Sequence, residues 1–90
     1  MNVIDRIKLL RTLEGISYNE LAERTGIERK RIENVVNQKA KPRHEDIEAI
    51  GKAWPEYRLW IAFGDEMPEA GQISPMTKAT QRELGTQRKA

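Results

Sequence analysis

The sequence predicts an all-α fold, a bundle of five short helices with room for a sixth in the tail. Three observations lead to that expectation. Apolar residues recur at helical spacing in successive segments: Ile4, Ile7 and Leu10; Ile32 and Val35; Ile47 and Ile50. Glycines and prolines divide those segments, at Gly15, Gly26, Pro42, Pro55 and Gly64. Between Tyr18 and Val36, a small residue at Ala22 is followed by Gly26, then by Ile27, Ile32 and Val35. That spacing suits two helices crossing closely around a short turn, the layout of a helix-turn-helix.

Taken in order, residues 3–13 are expected to form the first helix. Ile4, Ile7, Leu10 and Leu13 fall on one face, with Asp5, Arg6, Lys8 and Arg11 between them. Gly15 can take the left-handed conformation that stops a helix. Ser17 with Glu20 three residues on is a capping box for a second helix over residues 18–24, with Leu21 and Ala22 facing inward. Gly26 breaks the pattern, and a third helix is expected over residues 28–37. Lys39, Lys41, Pro42 and Arg43 form a basic loop in which Pro42 cannot continue a helix. The fourth helix begins at His44 or Glu45 and ends at Ala53, with acidic residues in its first turn where the helix dipole favours them. Pro55 suits the first position of a fifth helix over residues 56–63, closed by Gly64. Residues 65–74 read as a polar linker. Ser74-Pro75 opens a short tail helix to about residue 84, with apolar content (Met76, Ala79, Leu84) thin enough that it need not fold alone. Residues 1–64 are thus the expected helix-turn-helix domain, and 65–90 the linker and tail, whose short helix is a candidate for dimerisation.

Ninety residues suit one small domain with a thin core, to which a second subunit can add buried surface. The absence of cysteine removes disulfides and thiolate sites. No apolar run is long enough to span a bilayer, and the opening MNVIDRIKLL is not laid out as a signal peptide, so a cytoplasmic location is expected. The net charge is only +2, but its distribution is uneven. Residues 1–27 balance at zero, 28–43 carry +4, 44–70 carry −5 and 71–90 carry +3. Positive charge therefore collects on the third helix and the loop after it, as phosphate contact requires.

On the exposed face of that helix stand Arg29, Lys30, Glu33 and Asn34, all able to hydrogen-bond to base edges or phosphates. With RIKLLRTLEGIS leading in, ELAERTGI, RIENVVN, the loop KAKPR and then IEAIGKAW, residues 4–64 resemble the lambda-repressor/Cro-type helix-turn-helix family. The resemblance implies a five-helix DNA-binding domain whose third helix enters the major groove. It implies base contacts from Arg29, Lys30, Glu33 and Asn34. It implies backbone contacts from Tyr18 and Asn19 at the start of the second helix and from Asn37 and Lys39 at the end of the third. Two positions depart from the family pattern. Tyr18 stands where glutamine is frequent, and Gln38 stands where glycine is frequent, so the turn after the third helix must form without one.

Arg31 lies nearer the side of its helix, which suits a phosphate, as do Lys41 and Arg43. Glu33 has two readings, a base contact or i,i+4 pairing with Arg29 or Asn37. His44 has no cysteine beside it and makes no metal site, and no cofactor is implied. Glu45, Asp46 and Glu48 lie on what is expected to be an exposed helix start without a nucleophile, so no enzyme is expected. Trp54, Tyr57, Trp60 and Phe63 belong first to the core. The fifth helix nevertheless carries more apolar residues than a thin core hides, and Trp60 and Phe63 are assigned to a dimer interface. The expected partners are double-stranded DNA and a second copy of the chain. The expected function is a small dimeric repressor, resembling those of phages and prophages, that occludes a promoter bearing a pseudo-palindromic operator. Two alternatives remain. One is an antitoxin that also binds its own promoter, with the fifth helix or the tail holding a toxin or other protein antagonist. The other is a protein-interaction module that never meets DNA.

Overall fold

The computed structural model describes residues 1–89, with side chains as far as residue 85; Ala90, the last residue of the expected tail, lies outside the described residues. Six α-helices follow one another: α1 (Val3–Glu14), α2 (Tyr18–Thr25), α3 (Arg29–Val36), α4 (His44–Ala53), α5 (Arg58–Phe63) and α6 (Pro75–Lys89). Short 3₁₀ turns lie at Pro55–Tyr57 and Pro68–Ala70. No strand occurs among the described residues, only an isolated bridge between Met67 and Gln72. The fold is all-helical, with the tail supplying a full sixth helix. No described helix is long and apolar enough to cross a membrane.

Local chemistry sets most boundaries. Asn2 caps α1: its side chain accepts from the Asp5 N–H at 2.9 Å, and its own N–H donates to the Asp5 carboxylate at 3.4 Å. Ser17 caps α2 by accepting from the Glu20 N–H at 3.1 Å. The reciprocal arm expected of Glu20 is replaced by an ion pair with Arg24 at 2.8 Å, one helical turn on. Gly26 ends α2 at φ 74°, donating its N–H to the Ala22 carbonyl at 2.8 Å. The fifth helix is shorter than expected, because its first turn, opened by Pro55, is 3₁₀.

Ile7, Leu10, Ile16, Leu21, Ile32, Val35, Val36, Ile50, Trp54, Tyr57, Trp60 and Ile61 form one buried core. Trp54, Tyr57 and Trp60 recur every third residue, so the 3₁₀ turn and α5 turn them to the same side. Trp60 meets Tyr57 edge-on, with ring centroids 6.5 Å apart. This corrects the assignment of Trp60 to a dimer interface: its indole is 3% exposed and offers nothing to a second copy. Phe63, three residues on, is 73% exposed.

Two charged side chains of α1 are turned inward, Arg6 fully buried and Glu14 largely covered. Arg6 is buried, donating from Nε to the Ile61 carbonyl at 3.1 Å and from Nη1 to the Met1 carbonyl at 2.6 Å. It thereby closes the C-terminal end of α5, where the helix dipole favours a cation. Glu14 accepts from the Trp54 indole N–H at 3.0 Å and the Tyr57 hydroxyl at 3.1 Å. Burial and the Glu14 charge push the Tyr57 phenol far above its ordinary range.

Residues 65–74 form a bracket. The Gln72 side chain accepts from the Leu59 N–H and donates to the Pro55 carbonyl, each at 2.9 Å. Ser74 and Pro75 are buried, and Ser74 caps α6 by accepting from the Thr77 N–H at 3.1 Å. Beyond that point α6 packs along α1 with little apolar burial.

Candidate nucleic-acid interface

α3 buries Ile32, Val35 and Val36 and leaves Arg29, Lys30, Glu33, Asn34 and Asn37 on the opposite side. Gly26 creates the turn that sets α3 across α2. The Thr25 hydroxyl helps close it, donating to the Leu21 carbonyl at 2.7 Å and accepting from the Ile27 N–H at 3.2 Å. Glu28, at the N-cap of α3, makes no side-chain cap. The first turn then holds Arg29, Lys30 and Arg31 with no acidic residue, against the positive end of the helix dipole.

The three cations have different surroundings. Arg29 donates from Nε to Glu33 at 2.9 Å and from Nη1 to the Asn19 side-chain oxygen at 3.1 Å. Of the two readings of Glu33, pairing with Arg29 is the one observed. Lys30 is exposed and makes no ion pair with any described residue.

Arg31, expected at a phosphate, is instead tied inward. Its Nη2 donates to Asp46 at 2.7 Å and to the Lys41 carbonyl at 3.0 Å. The reason is its place on the flank of α3 that faces α4. Asp46 is only 8% exposed, which corrects the expectation of an exposed acidic helix start at that position. Burial opposes the Asp46 charge, but hydrogen bonds from Arg31 and the Arg43 N–H outweigh it and hold the carboxyl below its ordinary range. The hydrogen bond to Asp46 likewise raises Arg31.

Residues 37–43 are thereby fixed at both ends. At the near end, Gln38 takes φ 63°. Its N–H donates to the Val35 carbonyl at 3.1 Å, while the Lys39 N–H donates to the Asn34 carbonyl at 2.8 Å. These two bonds make a Schellman motif with glutamine in the position that favours glycine. At the far end, the Arg43 N–H donates to Asp46 at 2.8 Å. Lys39, Lys41 and Arg43 are exposed and make no ion pair with a described residue.

The start of α2 lies alongside. Tyr18 is half-buried beneath the Arg11 guanidinium, 4.5 Å from its ring centre, while Asn19 is exposed and joined to Arg29. Asn19, Arg29 and Glu33 thus form one cluster. Asn34 and Asn37 share the outer face, and Lys30, Lys39, Lys41 and Arg43 are exposed cations on α3 and its loop. Two features had no local signal in the sequence: the Asn19–Arg29 contact spans two helices, and the Arg31–Asp46 pair spans fifteen residues.

No family model matches the chain, and no curated protein matches it.

Proposed function

We propose that this chain is a sequence-specific regulator that binds double-stranded DNA through the outer face of α3, as a homodimer that represses a promoter by occluding it. The observation that carries the proposal is the first turn of α3. Three successive cations occupy the uncapped first turn of a helix that holds no acidic residue there, and Lys30 among them has no ion-pair partner among the described residues. A cation at a helix N-terminus opposes the helix dipole, whereas a phosphate there is attracted by both the dipole and the cation. α1, α2 and α4 instead carry an acidic residue in their first turn, which leaves the start of α3 as exposed positive charge suited to an anion. The resemblance of residues 4–64 to the lambda-repressor/Cro-type family supports the same conclusion. So do the exposed cations of the loop after α3.

In this mechanism Lys30, expected at a base edge but exposed and held by no ion pair among the described residues, joins Lys39, Lys41, Arg43 and Asn37 on the sugar-phosphate backbone, and Asn19 and Tyr18 meet it from the start of α2. Arg29 and Asn34 face base edges, where arginine suits guanine and asparagine suits adenine. Two copies related by a twofold axis would set their α3 helices about 34 Å apart, reading half-sites one turn of DNA apart. Exposed Phe63, beside Leu59 and Ala62, supports a protein contact on the α4–α5 face. Selection of bound duplexes from a random pool tests the proposal. A pseudo-palindrome with half-sites about 10 base pairs apart is expected; enrichment of no sequence would remove specific regulation.

A further inference from the structure

Arg29, Glu33 and Asn19 form an arrangement that goes further than contact with DNA. We infer that Glu33 and Asn19 hold Arg29 as a preset guanine-reading fork, so that Glu33 is a positioning residue and not a base contact. This rests on the proposed DNA-binding role of α3 and specifies one base of its target.

The donor count leads to the inference. A guanidinium carries five N–H groups and accepts nothing. Glu33 takes the one on Nε at 2.9 Å, and Asn19 takes one on Nη1 at 3.1 Å. Both N–H groups of Nη2 and one of Nη1 remain. Guanine presents two acceptors side by side in the major groove, N7 and O6, and two remaining donors on adjacent nitrogens match them. No other base presents that pair of acceptors there.

The surroundings agree with orientation and not with stability. The Arg29 side chain is 57% exposed and Glu33 is 29% exposed, so the ion pair adds little to folding. What the pair changes is freedom. A free arginine has many rotamers, and fixing it from two sides before binding removes part of the cost of ordering it on a base. Asn19 also gains a defined direction. Because the guanidinium only donates, the Asn19 oxygen faces Arg29, and its NH₂ group is left to donate to a phosphate. One side chain on α2 then couples the position of the backbone to the aim of the reading residue on α3. Lys30, next in sequence and unpaired, has no such support and is a point charge free to follow phosphates.

The test uses the duplex selected by the wild-type chain and its single-base variants, with binding measured for wild type, Arg29→Ala, Glu33→Ala, Glu33→Gln, Asn19→Ala and Arg29→Ala/Glu33→Ala. Wild type is expected to prefer guanine about tenfold at one position of each half-site. Arg29→Ala removes that preference. Glu33→Ala reduces it severalfold at the same base pair, Glu33→Gln retains more of it, and the double variant is no worse than Arg29→Ala alone. The preference at the base pair facing Asn34 stays unchanged in all of them. If Glu33→Ala instead alters the preference at a different base pair, or leaves the guanine preference intact, the positioning role is overturned while DNA binding stands. If the wild type binds no duplex, both fail together. An unchanged helical circular-dichroism spectrum for each variant separates these outcomes from unfolding.

Discussion

Gln38 carries a cost that a glycine would remove. Its φ of 63° is needed for the two hydrogen bonds that end α3 and start the basic loop. A side chain in that conformation costs about 1–2 kcal/mol, partly offset by the greater unfolded-state freedom of glycine. Gln38→Gly is therefore expected to stabilise the chain by about 0.5–1 kcal/mol, read as a rise of a few degrees in melting temperature. Gly26→Ala should lower stability by about 1 kcal/mol or more. An added Cβ there meets nothing within 4 Å, so the loss would come from the backbone alone. Asp46 gives a second test. Its carboxyl is held below its ordinary range, so the native state favours the charged form. The stabilisation is complete above the unfolded value of about 3.9 and is lost as pH falls through the lower folded value. Asp46→Asn should be less stable than wild type at pH 7, and the difference should shrink to nothing in strong acid, measured by urea denaturation at each pH.

At the scale of elements, α6 and the bracket before it are tied down mainly by polar contacts. Lys78 pairs with Glu56 at 2.7 Å, and Glu66 accepts from the Ser74 N–H at 2.7 Å and the Thr77 hydroxyl at 2.6 Å. Burial opposes the Glu56 charge, but the Lys78 hydrogen bond prevails and lowers its carboxyl; the Thr77 and Ser74 hydrogen bonds lower Glu66. Both groups then lose their contribution as pH falls through and below the ordinary carboxylate range. Amide protection factors in residues 76–80 are expected to fall on acidification before those in α1 and α3 do. An equal fall in all three would show that α6 is no weaker than the core. These ties also explain what the sequence could and could not disclose. Periodicity and punctuation disclosed α1 to α4 to within a residue or two, because Gly15, Ser17, Gly26 and Pro42 act on their own neighbours. The 3₁₀ turn at Pro55–Tyr57 escaped, because both helix types tolerate an initial proline. The bracket at 65–74 escaped because Gln72 finds its partners at Pro55 and Leu59, outside any local window. At the candidate interface, the outer face of α3 was legible from its period. The inward turn of Arg31 and burial of Asp46 were not, since each depends on a pair that forms across fifteen residues.

At the scale of the whole molecule, the charged and apolar surfaces belong to different elements. The exposed cations Lys30, Lys39, Lys41 and Arg43 belong to α3 and its loop, while Phe63 ends α5 beside a groove lined by Ile47, Gly51, Leu59 and Ala62. A dimer formed through that groove would leave α3 free for DNA. Phe63→Asp should therefore reduce the mass found by sedimentation equilibrium to that of one chain and weaken operator binding by removing the second half-site. An unchanged mass would move the interface elsewhere. The most direct test of the α3 interface compares Lys30→Ala with Lys8→Ala, two exposed lysines whose loss changes net charge equally. Their binding to a selected duplex is measured by fluorescence anisotropy over a range of salt concentrations. Lys30→Ala is expected to bind several times more weakly than wild type, with its log–log salt slope smaller by about 1, while Lys8→Ala matches wild type. Equal losses in the two variants, or no binding by the wild type at low salt, would contradict DNA recognition through α3.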